Sequence, residues 1–363
     1  MYNLQTRIGD IFDCIDIYKQ PAFDHPLLQN HKIQMEPDYI PEETINEADP
    51  SSNIKVAQTE LELHSERCPL GTVPIRRTKK RDLINAKSLS KRIKPYTNKN
   101  SLSPWPNLHV CSIEPNSSES YYGGSAVISI YNPKVEADQF STAQLWIQNG
   151  PVDVINSIEF GWAVYPILFN DNSTRLFGYW TADGYQKTGC FNMLCSGFVQ
   201  VHPSVALGDA INHTSVYQGI QYAMDAMVYR DPQSGNWWLM MNLGKSEEFP
   251  KIGYWPKELF SHLASNASMI RYGGVVGADT NRPTPPMGNG YLPVCDDYDF
   301  NKACYMMKMK VVDGNARPID FDPSKIRVKQ DTIWSCYNLT FNGYVDKYIE
   351  LAMRFGGPGG MCP

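Results

Sequence analysis

Asp153-Val-Ile-Asn-Ser-Ile-Glu-Phe-Gly-Trp-Ala-Val-Tyr-Pro-Ile-Leu-Phe169 is the run that decides the fold class. With the two-residue period of a β-strand, Val154, Ile158, Phe160, Trp162 and Val164 point one way, and Glu159, Gly161 and Ala163 the other. The first set reads as the face of a hydrophobic core. The second places a carboxyl beside two residues with almost no side chain. That pattern fits either the floor of a cleft that another backbone approaches or a sheet face open to water.

Outward from this strand, the same texture recurs beyond Leu108. Strand-like runs cover Ala126 to Tyr131, Ala143 to Ile147, Leu176 to Thr181, Phe198 to His202, Tyr217 to Val228, Trp237 to Met241 and Met269 to Val276. Others follow at Tyr305 to Val312, Thr332 to Asn338 and Tyr344 to Met353. Gly, Asn and Pro turns separate many of them, which predicts an all-β chain built as an antiparallel β-sandwich of two packed sheets, not alternating βα units. One helix is expected from Pro256, with Leu259, Phe260 and Leu263 on its apolar side.

Upstream the character changes. Asp16 to Leu28 is aromatic and proline-rich, suited to docking on a larger body, and an acidic, loose segment runs on to Asp49. Helical spacing marks Ala57 to Glu66, through Leu61 and His64, and again Arg81 to Ser90; the prolines of Cys68 to Arg77 make the piece between them rigid. From Arg76 through Lys99 ten basic residues face one acid, Asp82. This reversal of sign in an acidic chain predicts a surface docked on an acidic partner region, a cleavable linker or a solvated loop. The organisation expected is a small mixed N-terminal segment over 1–95, a linker over 96–107 where processing is expected, and the sandwich over 108–363.

At 363 residues the chain is long enough to bury a large core, and 26 Gly, 26 Pro and 21 Tyr favour turns and strands. A formal charge of -5 gives no reason to expect nucleic acid, and no window has the apolar length of a membrane span. No strand leads into a glycine-rich phosphate loop and the seven histidines are scattered, so no cofactor and no metal are expected. Nine cysteines lack zinc-site spacing. Proximity in sequence suggests the bridges Cys190–Cys195, Cys295–Cys304 and Cys336–Cys362, with at least one thiol among Cys14, Cys68 and Cys111 left over. Sequons at Asn116, Asn172, Asn212, Asn266 and Asn338, together with the cysteines, point to a secreted, extracellular or vacuolar glycoprotein. The opening Met-Tyr-Asn-Leu-Gln-Thr-Arg-Ile-Gly-Asp has no apolar leader, so a signal peptide missing from this start is expected, with a cytosolic chain as the alternative.

Several motifs carry a resemblance. Asp13-Cys-Ile-Asp-Ile-Tyr-Lys-Gln-Pro-Ala-Phe-Asp-His-Pro-Leu-Leu28 and Cys68-Pro-Leu-Gly-Thr-Val-Pro-Ile-Arg-Arg-Thr78 resemble the activation region of the plant neprosin family. Tyr179-Trp180-Thr181, Gly189 to Gln200, Asn236-Trp-Trp-Leu239, Gly253-Tyr-Trp-Pro256 and Gly273-Gly274 resemble its peptidase domain. The resemblance implies a precursor whose N-terminal segment covers a β-sandwich, and a secreted glutamic endopeptidase that cleaves at proline in acid through two glutamates. Glu159 matches the first. The second is expected after the paired glycines, where this chain reads Tyr272-Gly-Gly-Val-Val276 and so has Val275 in its place.

The chemistry makes that departure matter. Hydrolysis of an amide by carboxyls needs one group to take a proton from water and a second to polarise the carbonyl or protonate the leaving nitrogen, and valine does neither. Glu247, Glu248, Glu258, Asp183 and Asp279 are candidate substitutes, each with a solvated-loop, helix-turn or turn reading beside it. Tyr179, Trp180, Gln200, Trp238, Tyr254, Gly273 and Gly274 are expected to line a cleft for an extended proline-containing peptide, although aromatics in a β-rich chain are more often core. The functional expectation is a neprosin-like endopeptidase held by its own pro-region. An inactive secreted protein that binds proline-rich polypeptides is the alternative, and a carbohydrate-binding sandwich ranks third, on fold analogy alone.

Overall fold

Trp162 and Tyr272 fix how the two large sheets lie on one another. In the computed structural model, which describes residues 2–41, 56–63, 66–92, 107–116, 119–243, 249–279, 281–295 and 298–363, both side chains cross the interface. The Trp162 indole N–H donates to the Ser129 carbonyl at 2.8 Å and the Tyr272 hydroxyl to the Lys310 carbonyl at 2.7 Å. Each satisfies a polar atom that burial would otherwise leave orphaned. Ile158, Phe160, Trp162 and Val164 are all completely buried in this layer with Tyr272 and Val276, as the alternation predicts. Truncating Trp162 to Ala is expected to cost about 3–5 kcal/mol.

Glu159 belongs to a seven-stranded sheet formed by Asn107–Pro115 (β1), Phe140–Asn149 (β2), Asn156–Val164 (β3), Arg175–Thr181 (β4), Cys190–Phe191 (β5), Met269–Ala278 (β6) and Ile326–Gln330 (β7). Their spatial order is β5-β4-β3-β2-β6-β1-β7, antiparallel throughout. A ten-stranded sheet covers one face. It includes one parallel contact, Val56–Ala57 beside Gln221 and Tyr222. The chain is thus all-β, with antiparallel sheets packed face to face.

The N-terminal segment adds a three-stranded sheet of Asn3–Gln5, Ile11–Asp16 and Thr72–Arg76, stapled by a Cys14–Cys68 disulfide. A helix, Lys80–Arg92 (α1), follows. It covers the predicted Arg81 to Ser90 and buries Ala86 and Leu89 against Phe140, Tyr165 and Phe169. That cluster lies on the Glu159 face of the seven-stranded sheet, so the N-terminal segment sits over the same face as the candidate acid. The expected linker lies outside the described residues except for Asn107, which already begins β1.

Several expectations are corrected. Val154 is exposed in a single turn, Val152–Val154, and the strand starts only at Asn156. It ends at Val164 because Pro166, which lacks an N–H, opens a short helix, Pro166–Phe169. Ala57 to Glu66 is not helical where described; Ala57 pairs in a strand and Leu61 bridges Ile211, so the body's backbone takes the groups a helix would need. Pro256 starts one turn, Lys257–Leu259, after which Phe260 is extended. Leu259, Phe260 and Leu263 are buried all the same. The last strands fall at Asn338–Tyr344 and Leu351–Gly356, because the chain turns at Ile333–Cys336, where the Cys336 N–H bonds the Ile333 carbonyl.

Cys190–Cys195 and Cys336–Cys362 are bridged. Cys295–Cys304 is not. The Cys304 sulfur is buried 3.3 Å from the Ser129 hydroxyl while Cys295 is exposed, and Cys14–Cys68 forms the third bridge. Cys111, Cys295 and Cys304 are the free thiols among the described residues.

Candidate active site

Glu159 lies mid-strand in β3, opposite Trp146 of β2 and Tyr179 of β4. Gln144 and Ser157 share its face by the period of two. The Gln144 amide donates to Glu159 Oε2 at 2.6 Å. The Tyr185 hydroxyl donates to Oε1 at 2.5 Å and the Ser157 hydroxyl at 3.3 Å. All three donors are neutral. Burial pushes the Glu159 carboxyl above its ordinary value, and the bonds from Tyr185, Gln144 and Ser157 and the charge of Arg271 offset only part of that rise.

Tyr185 is delivered by the loop that leaves β4. The Asp183 carboxylate accepts from the backbone N–H groups of Gln186 at 3.1 Å, Lys187 at 2.9 Å and Thr188 at 3.0 Å, and from the Thr188 hydroxyl at 2.7 Å. This clamp holds Tyr185 in the left-handed region, φ 61°, a position that costs a non-glycine residue about 1–2 kcal/mol. The Tyr185 ring stacks on Tyr179, with centroids 5.7 Å apart and planes within 6°. Burial drives its hydroxyl well above its ordinary value, so it remains a donor to Glu159.

The glycines beside Glu159 have another purpose than leaving room for a ligand. A Cβ on Gly161 would stand 2.0 Å from the Ala143 carbonyl of β2, and one on Gly273 would stand 2.0 Å from the Cys111 carbonyl of β1. Neighbouring strands approach too closely there for any side chain. A Cβ on Gly274 would meet the Phe355 ring of the opposite sheet at 2.6 Å.

Val275 shares the face of Glu159 but not its row. It pairs with Thr142, which pairs with Ala163, so it stands two strands over and four residues along. It is half-buried against the apolar cluster of Phe140 and Tyr165. The row of Glu159 instead runs through Trp146 to Arg271 of β6.

Of the expected cleft residues, Tyr179 is at the site. Trp180 points elsewhere, its ring edge-on to Phe260 at 5.8 Å and to His25 at 5.9 Å. Gln200, Trp238 and Tyr254 lie under the N-terminal segment. Gln200 Nε2 donates to the Pro74 carbonyl at 2.7 Å, Trp238 Nε1 lies 3.4 Å from Gln34 Oε1, and the Tyr254 hydroxyl meets His31 Nε2 at 2.8 Å. Of the candidate substitute acids, Asp183 is the loop clamp and Glu258 lies 3.9 Å from His31. The Asp279 carbonyl accepts from Asn107 at 3.2 Å, and Glu247 and Glu248 lie outside the described residues. No group of three or more His, Cys, Asp or Glu able to hold a metal occurs among the described residues. No described helix is long and apolar enough to cross a membrane.

The N-terminal segment meets the body with a polarity opposite to the one expected. Arg76 and Arg77 pair with Asp10 and Asp13 of their own segment. Two of the ion pairs that cross to the body among the described residues have their cation there, Arg175 Nη1 standing 2.6 Å from Asp10 Oδ2 and Lys251 Nζ 2.6 Å from Glu36 Oε2. Arg175 also pairs with Asp171 and donates to the Gly208 carbonyl at 2.8 Å. From α1, Asp82 accepts from Asn170 at 2.9 Å and Asn85 donates to the Ile167 carbonyl at 2.9 Å.

Sequence reasoning missed Gln144, Ser157, Tyr185 and Arg271. A signal for Gln144 exists, since it alternates with Ala143 and Leu145 in a predicted strand, but its facing Glu159 depends on register.

A family model described as Neprosin matches residues 137–358, and one described as Neprosin activation peptide matches residues 3–121. Among solved structures, scytalido-glutamic peptidase with a transition state analog inhibitor aligns at a TM-score of 0.38 and 8% identity, over 69% of this chain and 98% of that one. The same peptidase with a peptide-based transition state analog aligns at 0.36 and 8%, with the same coverage.

Proposed function

The chain belongs to the neprosin family, and from that premise we propose that it is the precursor of a secreted glutamic endopeptidase of reduced power, cutting proline-containing peptides in acid. The observation that carries the reading is the buried Glu159 carboxyl with the Gln144 amide 2.6 Å away on the next strand. In the reaction proposed, ionised Glu159 takes a proton from the water that attacks the amide carbon. The Gln144 N–H donates to the carbonyl oxygen as it gains charge, and protonated Glu159 returns its proton to the leaving nitrogen. One oxygen of water joins the carbon, the C–N bond breaks, and both protons of water are accounted for in the acid and amine products. Tyr185 and Ser157 orient the carboxyl. Val275 leaves the face without the second carboxyl that the family resemblance leads one to expect, which is why feeble turnover is proposed.

Proline preference and export rest on the family resemblance, on the sequons and on the three bridges. Asn116 and Asn172 are exposed and are the glycosylation sites proposed first; Asn212, Asn266 and Asn338 are half-buried. In the precursor, α1 and the segment before it keep the face covered.

A second reading, a protein that binds such peptides without cutting them, is favoured by Val275 alone. Cleavage of a quenched proline-containing peptide between pH 2 and 7 separates the two. Slow turnover that is lost in Glu159→Gln, falls about a hundredfold in Gln144→Ala and rises in Val275→Glu supports the peptidase. Turnover indifferent to Glu159→Gln overturns it, and binding with no turnover until Val275→Glu is introduced favours the second reading.

A further inference from the structure

On the Glu159 face, at the opposite edge of the sheet from β5, three cations gather around one acid. Glu114 of β1 is almost completely buried. Its Oε1 accepts from Arg327 at 2.6 Å, and its Oε2 from Arg271 at 2.9 and 3.2 Å. Both oxygens are therefore committed. Lys329, two residues beyond Arg327 on the same face, pairs in the ladder with Ser112 and makes no ion pair with a described residue. Half-buried, its ammonium is disfavoured first by burial and then by the charge of Arg271, with Glu114 opposing and Arg327 adding. The corner thus holds two positive charges in excess. The Ser112 hydroxyl in the same row is fully buried with no hydrogen-bond partner among the described residues.

The ladder places this corner relative to Glu159. One row runs Arg327, Glu114, Arg271, Trp146, Glu159, and the next runs Lys329, Ser112, Gly273, Gln144, Gly161. The Arg271 guanidinium lies over the Trp146 ring, 5.9 Å from its centroid. With about 4.8 Å between strands, Arg271 stands about 10 Å from the Glu159 strand, and a lysine side chain reaches inward from β7 towards the same place. An extended peptide advances about 3.3 Å per residue, so a chain laid across the strands from Glu159 brings its third or fourth residue to the corner.

We propose that Arg271, Arg327 and Lys329 form a subsite for a carboxylate carried by the peptide, three to four residues from the bond attacked. The inference rests on the peptide-cleft reading of Glu159. The carboxylate is either an acidic side chain or the peptide's free C-terminus. Lys329 supplies the uncommitted charge, Arg271 and Arg327 hold the field around it, and Ser112 offers a hydrogen bond. Arg327 is 54% exposed by its side chain, so the corner is reachable in the full-length chain.

The test uses full-length protein first held in acid until release of its N-terminal segment is complete on a gel, then returned to pH 6 and low salt, with labelled nine-residue proline-containing peptides read by fluorescence anisotropy, and their cleavage followed in parallel. Glu is compared with Gln four residues from the proline, and a free C-terminus with an amidated one at the same place. The expected result is about tenfold tighter binding of the acidic peptide, a preference kept in Lys329→Arg, lost in Lys329→Gln and inverted in Lys329→Glu. A preference that follows the side chain identifies an internal acid, and one that follows the free terminus identifies the chain end. Equal binding of acidic and neutral peptides, with cleavage still lost in Glu159→Gln, overturns the subsite and leaves the cleft reading standing. No binding and no cleavage of any peptide overturns both.

Discussion

At Glu159 one carboxyl is surrounded by neutral donors, whereas at the junction between the N-terminal segment and the body a buried cation, Arg175, is surrounded by carboxyls. Burial raises Glu159 and its donors only soften the rise, so it holds its proton more readily than an ordinary carboxyl. At the junction burial also pushes Asp171 up, but the hydrogen bond and charge of Arg175 more than reverse this and leave it below its ordinary value. Asp209, close by with only backbone N–H partners from Leu63 and Ala210, is pushed up by burial to about 8. Neutral partners make an acid that works by titrating. A charged partner makes one that works by staying ionised.

The sharpest way to break this comparison is Glu159→Gln, for which turnover is expected to fall by about a hundred to ten thousand fold while the fold persists. Because the Glu159 value is raised, its ionisation weighs against the fold as pH climbs above the ordinary carboxyl range. The variant's thermal midpoint should therefore match the parent's at pH 3 and exceed it at pH 7. Next is Arg175→Met, which strands Asp171 without its cation and leaves Asp10 with Arg76 alone; chemical unfolding should show a loss of about 3–5 kcal/mol at neutral pH. The stabilisation Asp171 draws from Arg175 is present above its ordinary value and disappears as pH falls through its lowered one, so this variant and the parent should converge in strong acid. Replacing both Cys14 and Cys68 by Ser is expected to cost about 2–4 kcal/mol, read as earlier proteolysis of the N-terminal segment. Asp209→Asn should flatten the decline in stability between about pH 4 and pH 8, since its raised value makes the parent lose stability as pH rises through that window. Least of all, Arg77→Ala, at the exposed Asp13 pair, should leave the unfolding midpoint where it is.

The core face of the Glu159 strand could be read directly, because Ile158, Phe160, Trp162 and Val164 alternate without interruption and each is buried. The α1 helix was also readable, since Ala86 and Leu89 recur at helical spacing amid charged residues. What escaped depended on contacts between distant segments. Pro256 looks like a helix start, but buried Leu259, Phe260 and Leu263 are satisfied by tertiary packing after one turn. Gln144 and Tyr185 become partners of Glu159 only through strand register and through a loop folded around Asp183, and neither is encoded in local periodicity. Trp238 and Tyr254 drew attention as aromatics, yet they sit beneath Gln34 and His31. An aromatic motif can serve the segment that covers a body as well as anything that body binds.

Gln20 completes the edge of the ten-stranded sheet. Its side-chain amide gives an N–H to the Gln200 carbonyl at 3.1 Å and its oxygen receives the Gln200 N–H at 2.8 Å, so a side chain does what a neighbouring strand would do. Val199–Gln200 is the outermost strand on that side. Release of the N-terminal segment would uncover a main-chain donor and acceptor on a sheet edge, the template on which separate chains add strands to one another. The body without the segment should therefore show a concentration-dependent tendency to self-associate that free Gln20-containing peptide suppresses.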